Sequence, residues 1–201
     1  VGSEMCIRDS YQTIRANPNE VTLLAVGNMT NVASMLREHP DGPSLLKGLF
    51  VMNGYFGAER LPAPYWNRNS WADPLASKIV FAAPVAVHRV FSLDVTDGLT
   101  MEAKRASKFL RADSELLKAV FAFGSAWLES SNQLTLHDPL AAVSVFYPDI
   151  CRFERGFVDV ETEKAEDMGG TRFAPSPAGN DELARTVDRE RFYRILSSVL
   201  N

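Results

Sequence analysis

The feature that most constrains the fold is the run Val21-Thr22-Leu23-Leu24-Ala25-Val26-Gly27, apolar almost throughout and ended by a glycine. It is too short for a buried helix and opens on β-branched residues, so it predicts a strand buried on both faces. Directly after it, Asn28-Met29-Thr30-Asn31 opens a segment whose Val32, Met35 and Leu36 share one helical face, and His39-Pro40-Asp41-Gly42-Pro43 closes that segment. Parallel strands need such helical crossovers. The pattern recurs where Leu49-Phe50-Val51-Met52 runs into Asn53-Gly54, and where Val85 to Phe91 runs into Ser92-Leu93-Asp94-Val95-Thr96. Three strands of this kind predict an α/β fold, an open and mostly parallel sheet with helices on both faces.

The remaining segments fit around that sheet. Tyr55 to Ser70 is a long loop rich in Pro, Asn and aromatic residues, and a loop of that length in a compact domain is usually functional or disordered. Asp73 reads as the cap of a helix beginning at Pro74, with Leu75, Ile79, Val80 and Ala83 inward. Thr100 to Ser131 is helical in pattern, with a break near Ala112-Asp113, and its Leu116, Leu117, Val120, Phe121, Trp127 and Leu128 are expected in the core. In Leu134 to Ala142, Asp138 reads as a helix cap and Pro139 as the first helical residue, the helix ending at Tyr147-Pro148-Asp149. Phe157 to Thr162 alternates as an edge strand does, Met168 to Asp181 reads as a surface loop, and Asp188 caps a last helix with Phe192, Ile195, Leu196 and Val199 on one side.

A chain of 201 residues, 46% apolar and 23% charged, has the size and balance of one globular domain, here residues 11–201. Residues 1–10 show neither the apolar stretch of a signal peptide nor a periodic pattern, and are expected to be a foreign or disordered tail. No Met stands at position 1, so the amino-terminal part is expected to be missing. The net charge of -4, without a Lys/Arg cluster, argues against nucleic acid as a partner. Apolar runs of strand length exclude a membrane span. Cys6 and Cys151 are too few for a disulfide framework, which points to a reducing compartment, the cytoplasm. No Gly-x-Gly-x-x-Gly, Gly-Lys-Ser/Thr or Gly-x-Ser-x-Gly occurs, and His39, His88 and His137 lack zinc-type spacing.

An open parallel sheet binds ligands beyond the carboxyl ends of its strands. Those ends bring Val26-Gly27-Asn28, Met52-Asn53-Gly54, Asn67-Arg68-Asn69 and Asp94 to Asp97 together, and His137-Asp138 joins them if the segment before it reaches the same edge. The group is rich in oxygen, suited to a polyol or to a hard cation such as calcium. Taken one at a time, Asp138 is a helix cap, His137 a solvated neighbour of it, Asn69 a loop residue, and Trp127 and Tyr65 packing residues rather than partners of a stacked base.

Taken in order, Val21 to Asn31, Val51-Met52-Asn53-Gly54, Asn69-x-x-x-Asp73-Pro74, Leu93-Asp94-Val95-Thr96 and His137-Asp138-Pro139 resemble the inosine/uridine-preferring nucleoside hydrolases. The resemblance implies a Rossmann-like α/β fold and hydrolysis of the N-glycosidic bond of a small ribonucleoside to ribose and free base. It also implies a calcium ion that grips the sugar hydroxyls and activates water, and a homo-oligomer, dimer or tetramer. Carried onto this chain, it makes Asp138 a calcium ligand and Val26 the donor of a backbone carbonyl to the ion. Asn69 becomes a ribose-binding residue, with Met52 meeting the sugar through its main chain. Asn67 stands where the family often has an acidic sugar contact, Asn53 where it commonly has Gly, and Arg68 where it often has an apolar residue. His137 matches the group that protonates the leaving base, a task suited to an imidazole with an unperturbed pKa of about 6.5. The family's opening strand and Asp-rich loop, which supply the general base and most calcium carboxylates, have no counterpart here. The chain is therefore expected to be an N-terminally truncated, inactive part of such an enzyme, the alternative being a non-catalytic module of the same fold that binds a nucleoside or sugar or assembles with a partner.

Overall fold

The computed structural model describes residues 2–57, 68–104, 106 and 115–200. In chain order the elements are α1 (Gly2–Ala16), β1 (Thr22–Ala25), α2 (Thr30–Glu38), α3 (Gly42–Leu45), β2 (Gly48–Met52), α4 (Arg68–Ala72), α5 (Pro74–Phe81), β3 (His88–Phe91), α6 (Leu93–Thr96), β4 (Thr100–Glu102), α7 (Glu115–Ser130), β5 (Gln133–Thr135), α8 (His137–Phe146), β6 (Cys151–Val160), β7 (Thr171–Pro175), β8 (Asp181–Val187) and α9 (Arg189–Leu200). Six strands form one sheet in the order β1-β2-β3-β8-β6-β7. The first four in that order run parallel, and β6 and β7 are antiparallel to their neighbours. β4 and β5 form a separate antiparallel pair.

The α/β architecture follows from β2, which is buried along its whole length. Successive side chains of a strand point to opposite faces. Leu49 and Val51 accordingly pack with Met35 of α2 and Val80 of α5, while Phe50 packs with Leu140 of α8 and Phe192 of α9 on the other face. Helices thus cover both faces. Tyr193 secures α9 by donating its hydroxyl to Thr100 O at 2.7 Å, and Asp188 caps the same helix by accepting from Arg191 N at 3.0 Å.

Several elements differ from the sequence expectation. β1 is not buried on both faces: it is the edge strand, and Leu24 and Val26 are exposed. Residues 2–10 lie in α1, where Ile7, Tyr11 and Ile14 recur at helical spacing and pack on the core with Met35 and Leu36. Thr100–Glu102 is a strand because it finds a partner in Gln133–Thr135. On α7 the helical period is present but only part of the expected set is inward: Leu117 is buried and Leu128 packs on the core, whereas Leu116 is 72% and Trp127 60% exposed. Leu75 is likewise exposed on α5. β6 is internal, because the stretch read as a surface loop contains the true edge strand, β7.

The fourth parallel strand, β8, is held by polar pairs. His88 Nδ1 lies 3.1 Å from Asp181 Oδ1, both side chains being buried. Asp181 Oδ2 also accepts from Val158 N at 2.7 Å, and Arg89 Nε donates to Glu182 Oε2 at 3.1 Å. These contacts join β3, β8 and β6 where the sheet changes from parallel to antiparallel.

Candidate functional site

Because β1, β2 and β3 are parallel, the chain leaves all three at one edge of the sheet. α4 brings Asn69 to that edge, where its Nδ2 donates to Met52 O at 2.9 Å and more weakly to Val26 O at 3.4 Å. Both carbonyls can only accept, so the amide nitrogen must face them and Oδ1 is left to accept from a ligand. Asn53 is buried and bonds Ser77 Oγ through Nδ2 at 3.2 Å, which ties β2 to α5. Gly54 then turns the chain with a φ of 96°, a conformation other residues rarely adopt. The outgoing segment is pinned where Phe56 N donates to Asp94 Oδ2 at 2.8 Å and Tyr55 O accepts from Thr171 Oγ1 at 2.8 Å.

The β4-β5 pair delivers α8 to the same edge, since Leu136 N donates to Leu99 O at 2.8 Å immediately before the helix begins. The helix starts at His137, with Leu136 in the cap position and no side-chain cap bond. The expectation that Asp138 caps is therefore corrected: it lies inside the first turn, followed by Pro139, which the first turn tolerates. Asp73 shows what a cap looks like here, accepting from Ala76 N at 3.0 Å and from Thr30 Oγ1 at 2.6 Å. The carboxylate of Asp138 faces solvent on one side and protein on the other. That partial burial pushes its pKa above the usual aspartate range, against the opposing pull of His137.

His137 is fixed from the β3 side. Its Nδ1 lies 2.8 Å from Thr96 Oγ1 and 3.8 Å from Asp97 Oδ1. Partial burial raises the Asp97 carboxyl as well, with His137 opposing and Asp94 reinforcing. Sequence reasoning placed Asp94 to Asp97 at the edge but gave Thr96 and Asp97 no task, because a hydroxyl that reaches across 41 residues leaves no local trace.

The structure joins these residues in two groups. One is Asn69 with the Val26 and Met52 carbonyls, and the other is His137 with Thr96 and Asp97. Val26 and Asp138 link them by lining one groove of about 680 Å³, whose walls are otherwise apolar, including Leu24, Phe146 and Val199. Asn67 and Tyr65 lie outside the described residues. Trp127 stands exposed on α7.

Asp138 and the Val26 carbonyl are donors a hard cation accepts, but calcium takes about six to eight oxygens. Among the described residues no group of three His, Cys, Asp or Glu side chains gathers around one point. The described residues do not by themselves make a calcium site.

Fold and site together define an α/β protein of the class that carries ligand chemistry on the carboxyl edge of a parallel sheet. Residues 3–194 match the family model described as inosine-uridine preferring nucleoside hydrolase. The chain belongs to that family. It is 30% identical over 204 residues to the non-specific ribonucleoside hydrolase RihC of Escherichia coli strain SMS-3-5, covering 98% of this chain. It is 26% identical over 200 residues to the pyrimidine-specific ribonucleoside hydrolase RihA of Citrobacter koseri, covering 94% of this chain. Its fold is shared with a plant nucleoside hydrolase, PpNRh1, at a TM-score of 0.80 and 24% identity, over 94% of this chain. In each comparison the chain spans 64% of the other protein's length. No helix among the described residues is long and apolar enough to cross a membrane.

Proposed function

We propose that this chain carries the sugar-binding and leaving-group side of a nucleoside hydrolase site. In the full-length protein, water adds to C1′ of a ribonucleoside and the free base departs with a proton. The observation that supports this best is the uncapped Asp138 carboxylate next to His137, at the edge where Asn69 bridges two strand-end carbonyls. Asn69 Oδ1 accepts from a ribose hydroxyl, and the Met52 main chain lines the sugar. His137 gives a proton to the departing base. Calcium, when bound, supplies positive charge at the sugar hydroxyls. Asp138 and Val26 O would be its ligands from this chain, with the other oxygens and the general base coming from beyond the described residues. On this reading the 201-residue chain alone releases no ribose. The chain acts as one α/β domain that includes α1 from Gly2, the full-length protein is a dimer or tetramer, and the two unpaired cysteines of this chain suit the cytoplasm. Relatives named as pyrimidine-specific and as non-specific support a ribonucleoside substrate without fixing the base.

The isolated carboxylate at the groove favours one second reading, a module that binds a nucleoside or sugar without cleaving it. Reducing-sugar release from inosine and uridine, with calcium and the full-length protein, decides between the two. Turnover is expected, and Asn69→Ala should raise KM about tenfold, the equivalent of one hydrogen bond worth about 1.4 kcal/mol. Saturable binding of both nucleosides without ribose release would establish the second reading instead.

A further inference from the structure

We infer that Thr96 is a positioning residue that holds His137 in a single tautomer, with the proton on Nδ1, so that Nε2 is the atom that carries and delivers the catalytic proton. The inference rests on the leaving-group role proposed for His137. Thr96 is fully buried at the end of α6. Its hydroxyl makes two short contacts, 3.0 Å to Ser92 O and 2.8 Å to His137 Nδ1. A hydroxyl has one hydrogen to give, and a backbone carbonyl has none.

The two contacts can be satisfied together in only one way. If Thr96 donated to Nδ1, Ser92 O would keep its backbone bonds from Thr96 N and Val95 N, at 3.2 and 3.3 Å, but the Thr96 and Ser92 oxygens would face each other at 3.0 Å with lone pairs opposed and no hydrogen between them. Thr96 therefore donates to Ser92 O, and Nδ1–H donates to Thr96 Oγ1. Asp97 supports the same assignment, since its Oδ1 lies 3.8 Å from that nitrogen and a carboxylate favours a proton facing it. The tautomer of a histidine is set by the bond its other nitrogen makes. Among the described residues no hydrogen bond reaches Nε2, which leaves that nitrogen to the substrate.

The test reads the tautomer directly. Imidazole-¹⁵N-labelled chain, kept alkaline enough for neutral rings, is examined by long-range ¹H–¹⁵N correlation. The wild type should show the protonated nitrogen of His137 to be Nδ1. Thr96→Val should shift His137 toward Nε2–H, and Thr96→Ser should restore the original pattern. His39 and His88 serve as fold reporters: a variant that unfolds moves all three histidines, whereas loss of positioning moves His137 alone. Nε2–H in the wild type, or an unchanged His137 pattern in a folded Thr96→Val, would overturn the inference.

In the full-length protein, Thr96→Val should lower kcat on inosine about tenfold or more with little change in KM, and Thr96→Ser should recover it. The two levels fail separately. Nδ1–H together with full activity of His137→Ala would sink the leaving-group role and leave the tautomer lock standing. Nε2–H would sink the lock alone.

Discussion

If the Asp138 carboxylate is kept for a ligand and not for the helix, its removal should not cost stability. Asp138→Asn and Asp73→Ala make the comparison. Asp73 accepts from Ala76 N and from Thr30 Oγ1. Losing a side-chain cap costs about 1 kcal/mol, and losing the hydrogen bond from Thr30, exposed as it is, about 1 kcal/mol more. For a chain of this size each kcal/mol lowers Tm by about 2–4 °C. Asp73→Ala should therefore melt about 4–8 °C below the wild type. At Asp138 two effects oppose each other. A carboxylate in the first turn of a helix is favoured by about 0.3–1 kcal/mol at the dipole, while partial burial disfavours its charge and raises its pKa. Because the two oppose each other, Asp138→Asn should melt within about 2 °C of the wild type. The assay is thermal denaturation followed by far-ultraviolet circular dichroism at neutral pH in EDTA. A drop at Asp138→Asn matching that at Asp73→Ala would restore the cap and remove the case for a reserved ligand.

Three further outcomes follow from other parts of the molecule. Burial pushes the Cys151 thiol up to about 12, while Cys6 is exposed, so one thiol should react with a disulfide reagent in native buffer and a second only in denaturant; two fast thiols would contradict the burial of Cys151. Asp149 accepts two bonds from Arg191, at 2.7 and 3.0 Å, which hold its carboxyl below the usual range. Because its pKa is lower folded than unfolded, this contribution is present above the ordinary aspartate range and is lost as pH falls through the folded value. The urea midpoints of wild type and Asp149→Asn should therefore converge in acid, and a gap that persists there would refute the assignment. The open groove should bind an apolar dye. Phe146→Ser with Val199→Ser, side chains 78% and 72% exposed, should quench that signal with under about 1 kcal/mol lost, whereas an undiminished signal would place the dye elsewhere.

The parallel half of the sheet was legible because β1, β2 and β3 are short apolar runs ended by residues that break strands. β8 was not. Its Asp181, Glu182 and Arg185 look like loop residues, yet each pairs with a charge or imidazole on a neighbouring strand, and only the assembled sheet supplies those partners. The same holds for Thr100–Glu102, whose strand state depends on a partner about thirty residues on. On α7 the period was right and the direction only partly so, since Leu117 and Leu128 face the core while Leu116, Val120 and Trp127 fit another helical stripe and are exposed. At the site, Asn69, Val26 and Met52 were foreseen together, and their hydrogen bonds agree. The local signal of Asp before Pro misled at Asp138, because the approach from β5 starts the helix two residues earlier than a cap there would.

Whether His137 protonates a departing base is read from the leaving-group dependence of His137→Ala in the full-length protein. Inosine and a riboside with an activated phenolate leaving group are compared by kcat/KM. The activated substrate departs without a proton, so the substitution should slow inosine by about a hundredfold or more and the activated riboside far less. Equal losses on both substrates would show that His137 serves binding or structure and would contradict the account.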